Sequence, residues 1–139
     1  MTRRHTTRFT VEFGDCDPAR IVHYPNFFRW IDAASRHFFV AAGVGSWVEL
    51  EATTGIIGTP LVDASARFLQ PATYGDEIVI ETWIDEWHRK SFVMKHVIRR
   101  GMDVLVEGRE TRIFARRHPD DPGRIQAVEA PDDIRTKIA

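Results

Sequence analysis

Residues 25–41 read Pro25-Asn26-Phe27-Phe28-Arg29-Trp30-Ile31-Asp32-Ala33-Ala34-Ser35-Arg36-His37-Phe38-Phe39-Val40-Ala41. Phe27, Ile31, Ala34, Phe38 and Ala41 recur at steps of four and three residues, the period of an amphipathic α-helix. Pro25 suits the first helical turn, where its missing N–H removes no intrahelical bond. Gly43 suits a left-handed C-terminal stop. Phe28, Trp30 and Phe39 widen the apolar girth beyond one stripe, so the helix is expected to be enclosed on several sides.

Upstream, Phe9, Val11 and Phe13 alternate with Arg8, Thr10 and Glu12, which predicts a half-buried strand over residues 7–14. Downstream, residues 45–58 read as a loop. Strand patterns follow at 60–69, 77–87, 91–100 and 104–116, with a shorter one at 124–128, and no second helix emerges. Turn signals at 71–75, 86–90 and 101–103 separate the strands, and short connections imply antiparallel pairing. The expected fold class is α+β, an antiparallel sheet of about five strands wrapped around one long central helix.

A length of 139 residues predicts a single domain over residues 1–139. With 43% hydrophobic and 28% charged residues, the composition is that of a soluble globular chain. A net charge of −1 leaves no positive field to hold a nucleic-acid backbone. Uncharged runs such as 38–48 and 52–62 are too short to span a bilayer. The basic start, Met1-Thr2-Arg3-Arg4-His5, leads into the alternating segment with no apolar signal core, so the expected location is cytoplasmic. Cys16 is the only cysteine, which excludes an internal disulfide and a multi-cysteine zinc site. The six histidines lack a convincing metal spacing, so no metal is expected.

Reactive groups are densest just before the helix, in Asp15-Cys16-Asp17-Pro18-Ala19-Arg20-Ile21-Val22-His23-Tyr24-Pro25-Asn26. The first helical N–H groups have no intrahelical acceptor, and the macrodipole places about half a positive charge there. A carbonyl oxygen docked at that end is polarised, and a carboxylate within reach attacks the carbonyl carbon or activates water. The plainer reading stands beside it, because Asp-Pro is a common turn pair and aspartates before helices often serve as caps. Cys16, flanked by two carboxylates, is a poor nucleophile. His23 reads as an acid–base group or as a hydrogen-bonded structural imidazole.

Glu12-Phe13-Gly14-Asp15-Cys16-Asp17-Pro18-Ala19, then Ile21-Val22 and Tyr24-Pro25-Asn26, closely resembles the signature of the 4-hydroxybenzoyl-CoA thioesterase family. The likeness runs on through Arg29-Trp30, Asp32-Ala33-Ala34-Ser35-Arg36, Gly55-Ile56 and Gly58-Thr59-Pro60. It reaches Trp87, Arg89-Lys90-Ser91-Phe92-Val93 and Ile113-Phe114-Ala115, and it is similar to the Pseudomonas type in particular. The resemblance implies a hotdog subunit acting as a homodimer or homotetramer, a dimer of dimers with sites at subunit interfaces. It implies hydrolysis of an aromatic acyl-CoA, with no cofactor because coenzyme A is part of the substrate. Asp17 matches the catalytic carboxylate, and the Tyr24 backbone N–H matches the group that polarises the thioester oxygen. His23, Asp32, Trp47 and Thr59 are the expected substrate-binding residues, Asp32 being placed to accept from a ring hydroxyl or simply solvated. His88, Arg89, Lys90 and Ser91 match the turn that meets the CoA nucleotide, where Arg and Lys suit phosphate.

Three departures bear on the acyl group. Arg20 stands where the family usually has glycine, so a positive φ there would strain it. His88 replaces an arginine, and Phe27-Phe28 is more apolar than the expected pair. Other readings compete with aromatic acyl-CoA hydrolysis. They are a short-chain aliphatic acyl-CoA thioesterase, a non-catalytic acyl-CoA-binding module, and an enoyl-thioester hydratase using His23 and Asp17.

Overall fold

The computed structural model describes residues 2–139. Strand β1 (Arg4–Thr10) leads through a 3-10 turn (Phe13–Asp15) and an irregular loop into helix α1 (Pro25–Ala41). Helix α2 (Trp47–Thr54) and strands β2 (Ile56–Gly58), β3 (Leu61–Phe68), β4 (Glu77–Trp87) and β5 (Ser91–Arg100) follow. Strands β6 (Asp103–Arg117) and β7 (Ile125–Val128) and helix α3 (Asp132–Ile138) complete the chain. One antiparallel sheet carries all seven strands, with β1, β4, β5 and β6 in that order. The 15-residue β6 is the hub. It is paired by β5 on one edge and β3 on the other, with β2 and β7 at its C-terminal end.

α1 occupies the span that its periodicity predicts, and the sheet wraps it in the α+β hotdog arrangement. Its N-terminal half buries Phe27, Trp30, Ile31 and Ala34 against Ile78, Ile80, Ile98 and Val106. Its C-terminal half buries Phe38 and Phe39 against Ile84, Phe92, Met94 and Phe114. Gly108 lets the helix sit this close, since a Cβ at that position would lie 2.6 Å from Ile31 Cδ1. The helix ends at Gly43, whose φ of 88° allows Gly43 N–H to reach the Val40 carbonyl and Val44 N–H the Phe39 carbonyl, a Schellman stop.

Four expectations are corrected. The first strand covers residues 4–10, not 7–14, because Phe13–Asp15 turns away as a 3-10 turn closed by Glu12 N–H donating to Asp15 Oδ2 at 2.9 Å. The sheet has seven strands, not about five. The predicted loop at 45–58 holds α2, started by the Ser46 hydroxyl accepting from Val48 N–H and stopped by Gly55 at φ 78°. A third helix, α3, follows Pro131, with Asp132 and Asp133 in its first turn and Arg135 and Lys137 in its last, charges that suit the helix dipole. α2 buries no residue fully, and α3 buries only Ile134 and Ile138. Neither presents a long enough apolar stripe to stand out by period. No helix among the described residues is long and apolar enough to cross a membrane.

Candidate active site

The loop before α1 is a small hairpin. Cys16 bridges Val22, Asp17 N–H donates to the Ile21 carbonyl at 2.9 Å, and Arg20 N–H returns to the Asp17 carbonyl at 2.8 Å. At its tip Asp17 Oδ1 accepts from Ala19 N–H at 2.8 Å, an Asx turn. Asp17 Oδ2 has no protein partner among the described residues. Asp17 lies on the wall of a cavity of about 390 Å³, with Phe13, Cys16, Arg20 and Tyr74. The rings of Phe13 and Tyr74 stack there at 4.1 Å. The Asx turn thus engages one carboxylate oxygen and leaves the other unpaired among the described residues.

Tyr24 is the N-cap of α1, with Pro25 next, and no side chain caps the helix. Asn26 N–H is taken by the His23 carbonyl and Phe27 N–H by the Tyr24 carbonyl, while Tyr24 N–H has no acceptor among the described residues. An unpaired backbone donor thus stands at the positive end of the dipole. The exposed His23 ring tilts against Tyr24 at 5.6 Å. The other carboxylate of the segment, Asp15, is engaged by Arg29 at 3.1 Å and by Glu12 N–H. Cys16 Sγ points to the Glu12 carbonyl.

Arg20 has a φ of 68°, the only positive value at a non-glycine among the described residues. Thr73 Oγ1 donates to its carbonyl at 2.7 Å and braces the turn. Arg20→Gly is expected to stabilise the protein by roughly 0.5–1 kcal/mol. That is the left-handed penalty less the extra freedom of glycine in the unfolded chain. A higher urea midpoint at unchanged slope is the readout, and an unchanged or lower midpoint contradicts it.

Asp32, Trp47 and Thr59 come together on a second cavity of about 330 Å³, with Ser35, Phe39, Gly58 and Arg112 among its other walls. Trp47 meets Phe39 edge-on at 5.6 Å. Asp32 is not simply solvated. Its Oδ1 accepts from Arg112 Nη2 at 2.7 Å. Within one chain this cavity shares no lining residue with that of Asp17.

The turn between β4 and β5 carries the third predicted group. His88 N–H donates to the Ser91 carbonyl at 2.8 Å and closes it. His88 lies 3.4 Å from Glu86, and Arg89 Nε donates to Glu129 at 2.9 Å. Lys90 is exposed and makes no ion pair among the described residues.

Beneath the second cavity lies a buried polar layer that the sequence reading missed. Glu110 accepts from Ser35 Oγ and from Arg112, and His96 Nε2 lies 2.8 Å from the same carboxylate. His96 Nδ1 meets Thr82 Oγ1 at 2.9 Å. Burial pushes the Glu110 carboxyl up, but the hydrogen bond and charge of His96 and the charge of Arg112 outweigh it and hold it below the ordinary glutamate value. Burial likewise opposes the Arg112 charge, and Glu110 and Asp32 reverse that. A signal was present. The inward positions of β4, β5 and β6 run Ile78-Ile80-Thr82-Ile84, Phe92-Met94-His96-Ile98 and Val106-Gly108-Glu110-Arg112-Phe114. Thr82, His96, Glu110 and Arg112 are the polar exceptions.

Residues 11–138 match the thioesterase-like superfamily. The chain is 45% identical over 138 residues to a 4-hydroxybenzoyl-CoA thioesterase of Pseudomonas sp. (strain CBS-3), covering 96% of each. Its fold superposes with a TM-score of 0.90 on a crystal structure of 4-hydroxybenzoyl-CoA thioesterase mutant D17N complexed with 4-hydroxybenzoyl-CoA, at 41% identity over 99% of both chains. A gentisyl-coenzyme A thioesterase is similar at a TM-score of 0.80 and 32% identity, over 96% of this chain and 98% of that one.

Proposed function

This chain belongs to the thioesterase-like superfamily, and on that premise we propose that it hydrolyses the thioester of an aromatic, 4-hydroxybenzoyl-like acyl-CoA to the free acid and coenzyme A. What supports this site is that one loop leading into α1 holds both Asp17, on a cavity wall with Oδ2 unpaired among the described residues, and, seven residues on, Tyr24 N–H, unpaired at the start of the helix. The thioester oxygen docks at Tyr24 N–H. Asp17 Oδ2 attacks the carbonyl carbon, and the resulting oxyanion is held by that donor. Collapse breaks the C–S bond, expels the CoA thiolate and leaves a mixed anhydride on Asp17. Water then hydrolyses the anhydride, releasing the acid and restoring the carboxylate. The cycle needs no cofactor or metal.

Assembly completes the site in this reading. Among the described residues β3 pairs only with β6, so its other edge is open there, and Leu61, Val62, Phe68 and Leu69 are exposed on it or beside it. A bare apolar edge is a template for pairing with another strand, and a second copy placed there forms a homodimer. The Asp17 cavity of one protomer and the Asp32–Trp47–Thr59 cavity of its partner then form one pocket for the acyl ring, with two such dimers making a tetramer. CoA phosphates lie against Lys90 and Arg89, displacing Glu129. In this reading the reaction is cytoplasmic.

The test is a panel of CoA esters (4-hydroxybenzoyl, benzoyl, acetyl and butyryl) with free thiol measured by a colorimetric reagent. Hydrolysis is expected to be fastest, by at least ~10-fold in kcat/KM, with the hydroxylated aromatic ester. A preference for the aliphatic esters overturns the substrate class. Release of no thiol from any ester overturns the enzyme reading.

A further inference from the structure

Three walls of the second cavity come from separate elements. Asp32 lies on α1, Thr59 on the β2–β3 connection and Arg112 on β6. One guanidinium joins them. Arg112 Nη2 donates to Asp32 Oδ1 at 2.7 Å and to Glu110 Oε2, and Nη1 donates to the Thr59 carbonyl at 2.8 Å. Arg112 is 7% exposed and Glu110 3%, so the fork is held from below by a fixed carboxylate. Asp32, by contrast, is open to solvent. An unrestrained aspartate on a helix face exchanges among staggered rotamers. Here Oδ1 is tied down, and Oδ2 has no protein partner among the described residues.

We propose that Arg112 is the positioning residue of the acyl-binding cavity, holding Asp32 and the Thr59 backbone in register so that Asp32 Oδ2 accepts a hydrogen bond from a hydroxyl on the acyl ring. The inference rests on the thioesterase reading above and deepens it. Arginine is needed for geometric reasons. Its planar fork reaches three acceptors on three elements at once, whereas a lysine ammonium keeps the charge but has one centre from which to donate. A loosened Asp32 loses discrimination for the hydroxyl, because selectivity of this kind depends on a partner already placed to receive the group.

The experiment compares kcat and KM of the unaltered protein, Arg112→Lys, Asp32→Asn and the double variant, using 4-hydroxybenzoyl-CoA and benzoyl-CoA. In Arg112→Lys the ratio of kcat/KM for the two esters is expected to fall about 10-fold, mainly through KM of the hydroxylated ester. Asp32→Asn lowers the same ratio, and the double variant falls no further, since both changes act through one carboxylate. A structural role alone depresses both esters together and leaves the ratio intact, and that result overturns the proposal. Additive losses in the double variant overturn it too. Should Arg112→Lys fail to fold by circular dichroism, Glu110→Gln, which keeps the shape of the anchor but not its charge, carries the test. It is expected to lower the ratio at least ~3-fold, and an unchanged ratio there overturns the proposal. Hydrolysis of neither ester by the unaltered protein removes the thioesterase reading and this inference with it. Hydrolysis with an undiminished ratio in the variants removes this inference alone.

Discussion

Replacing Asp17 with asparagine is expected to lower kcat for 4-hydroxybenzoyl-CoA by at least ~100-fold, as for loss of a nucleophile or general base. Asparagine is close to isosteric, and its amide oxygen still accepts from Ala19 N–H, the one bond Asp17 Oδ1 makes among the described residues. The Asx turn and the hairpin from Cys16 to Val22 therefore persist, and the melting temperature is expected to stay within a degree or two. What is lost is the negative charge of a carboxylate on the cavity wall. In the proposed mechanism Tyr24 N–H still polarises a docked carbonyl, so substrate binding is expected to survive better than turnover and KM to change less than kcat. Thiol release under saturating substrate, with melting as the fold control, is the measurement. Near-normal turnover in a folded Asp17→Asn variant removes Asp17 from the chemistry.

The second large effect is on stability. Arg112→Met is expected to cost about 3–5 kcal/mol, the range for removing one partner of a buried ion pair. Glu110 is left in a layer where it is 3% exposed, with His96 and Ser35 as its remaining partners, and the Thr59 carbonyl loses its donor. Most of the cost is the stranded carboxylate, so Arg112→Met combined with Glu110→Gln is expected to be more stable than Arg112→Met alone. Urea denaturation of the three proteins decides this. A double variant that is no better shows that the guanidinium's other bonds dominate.

The pH dependence follows from the same residue. Glu110 is held below its ordinary value of 4.5 in the fold. Its contribution is therefore complete above that unfolded value and is lost as pH falls through the lower, folded one. Stability is expected to decline on acidification below about 4.5 less steeply in Glu110→Gln than in the unaltered protein.

Legibility in the sequence tracked how local each feature is. α1 was readable to the residue because its start, stripe and stop are all written within residues 25–43. β4 and β5 were readable for the same reason, each with its own period and bounding turns. α2 and α3 were not, since a helix of seven or eight residues with little buried surface is held by caps and by packing against distant partners more than by its own pattern. The Asp17 hairpin, the strained Arg20 and the Tyr24 cap lie within eight residues of one another, so the motif announced them together.

The buried layer is the opposite case. Ser35, Thr82, His96, Glu110 and Arg112 are separated by up to 77 positions, and each alone reads as an ordinary polar residue on a helix or strand. Their meaning exists only once β4, β5 and β6 lie side by side with α1 across them. The sequence by itself determined the helix, the antiparallel strands and the carboxylate-bearing loop that precedes an uncapped helix start, because those depend on the period and chemistry of neighbouring residues. Only the tertiary structure decided that Asp32 answers to Arg112 and that two cavities stand apart in one protomer. Hydrogen bonds act over about 3 Å of space, however long the chain between their partners.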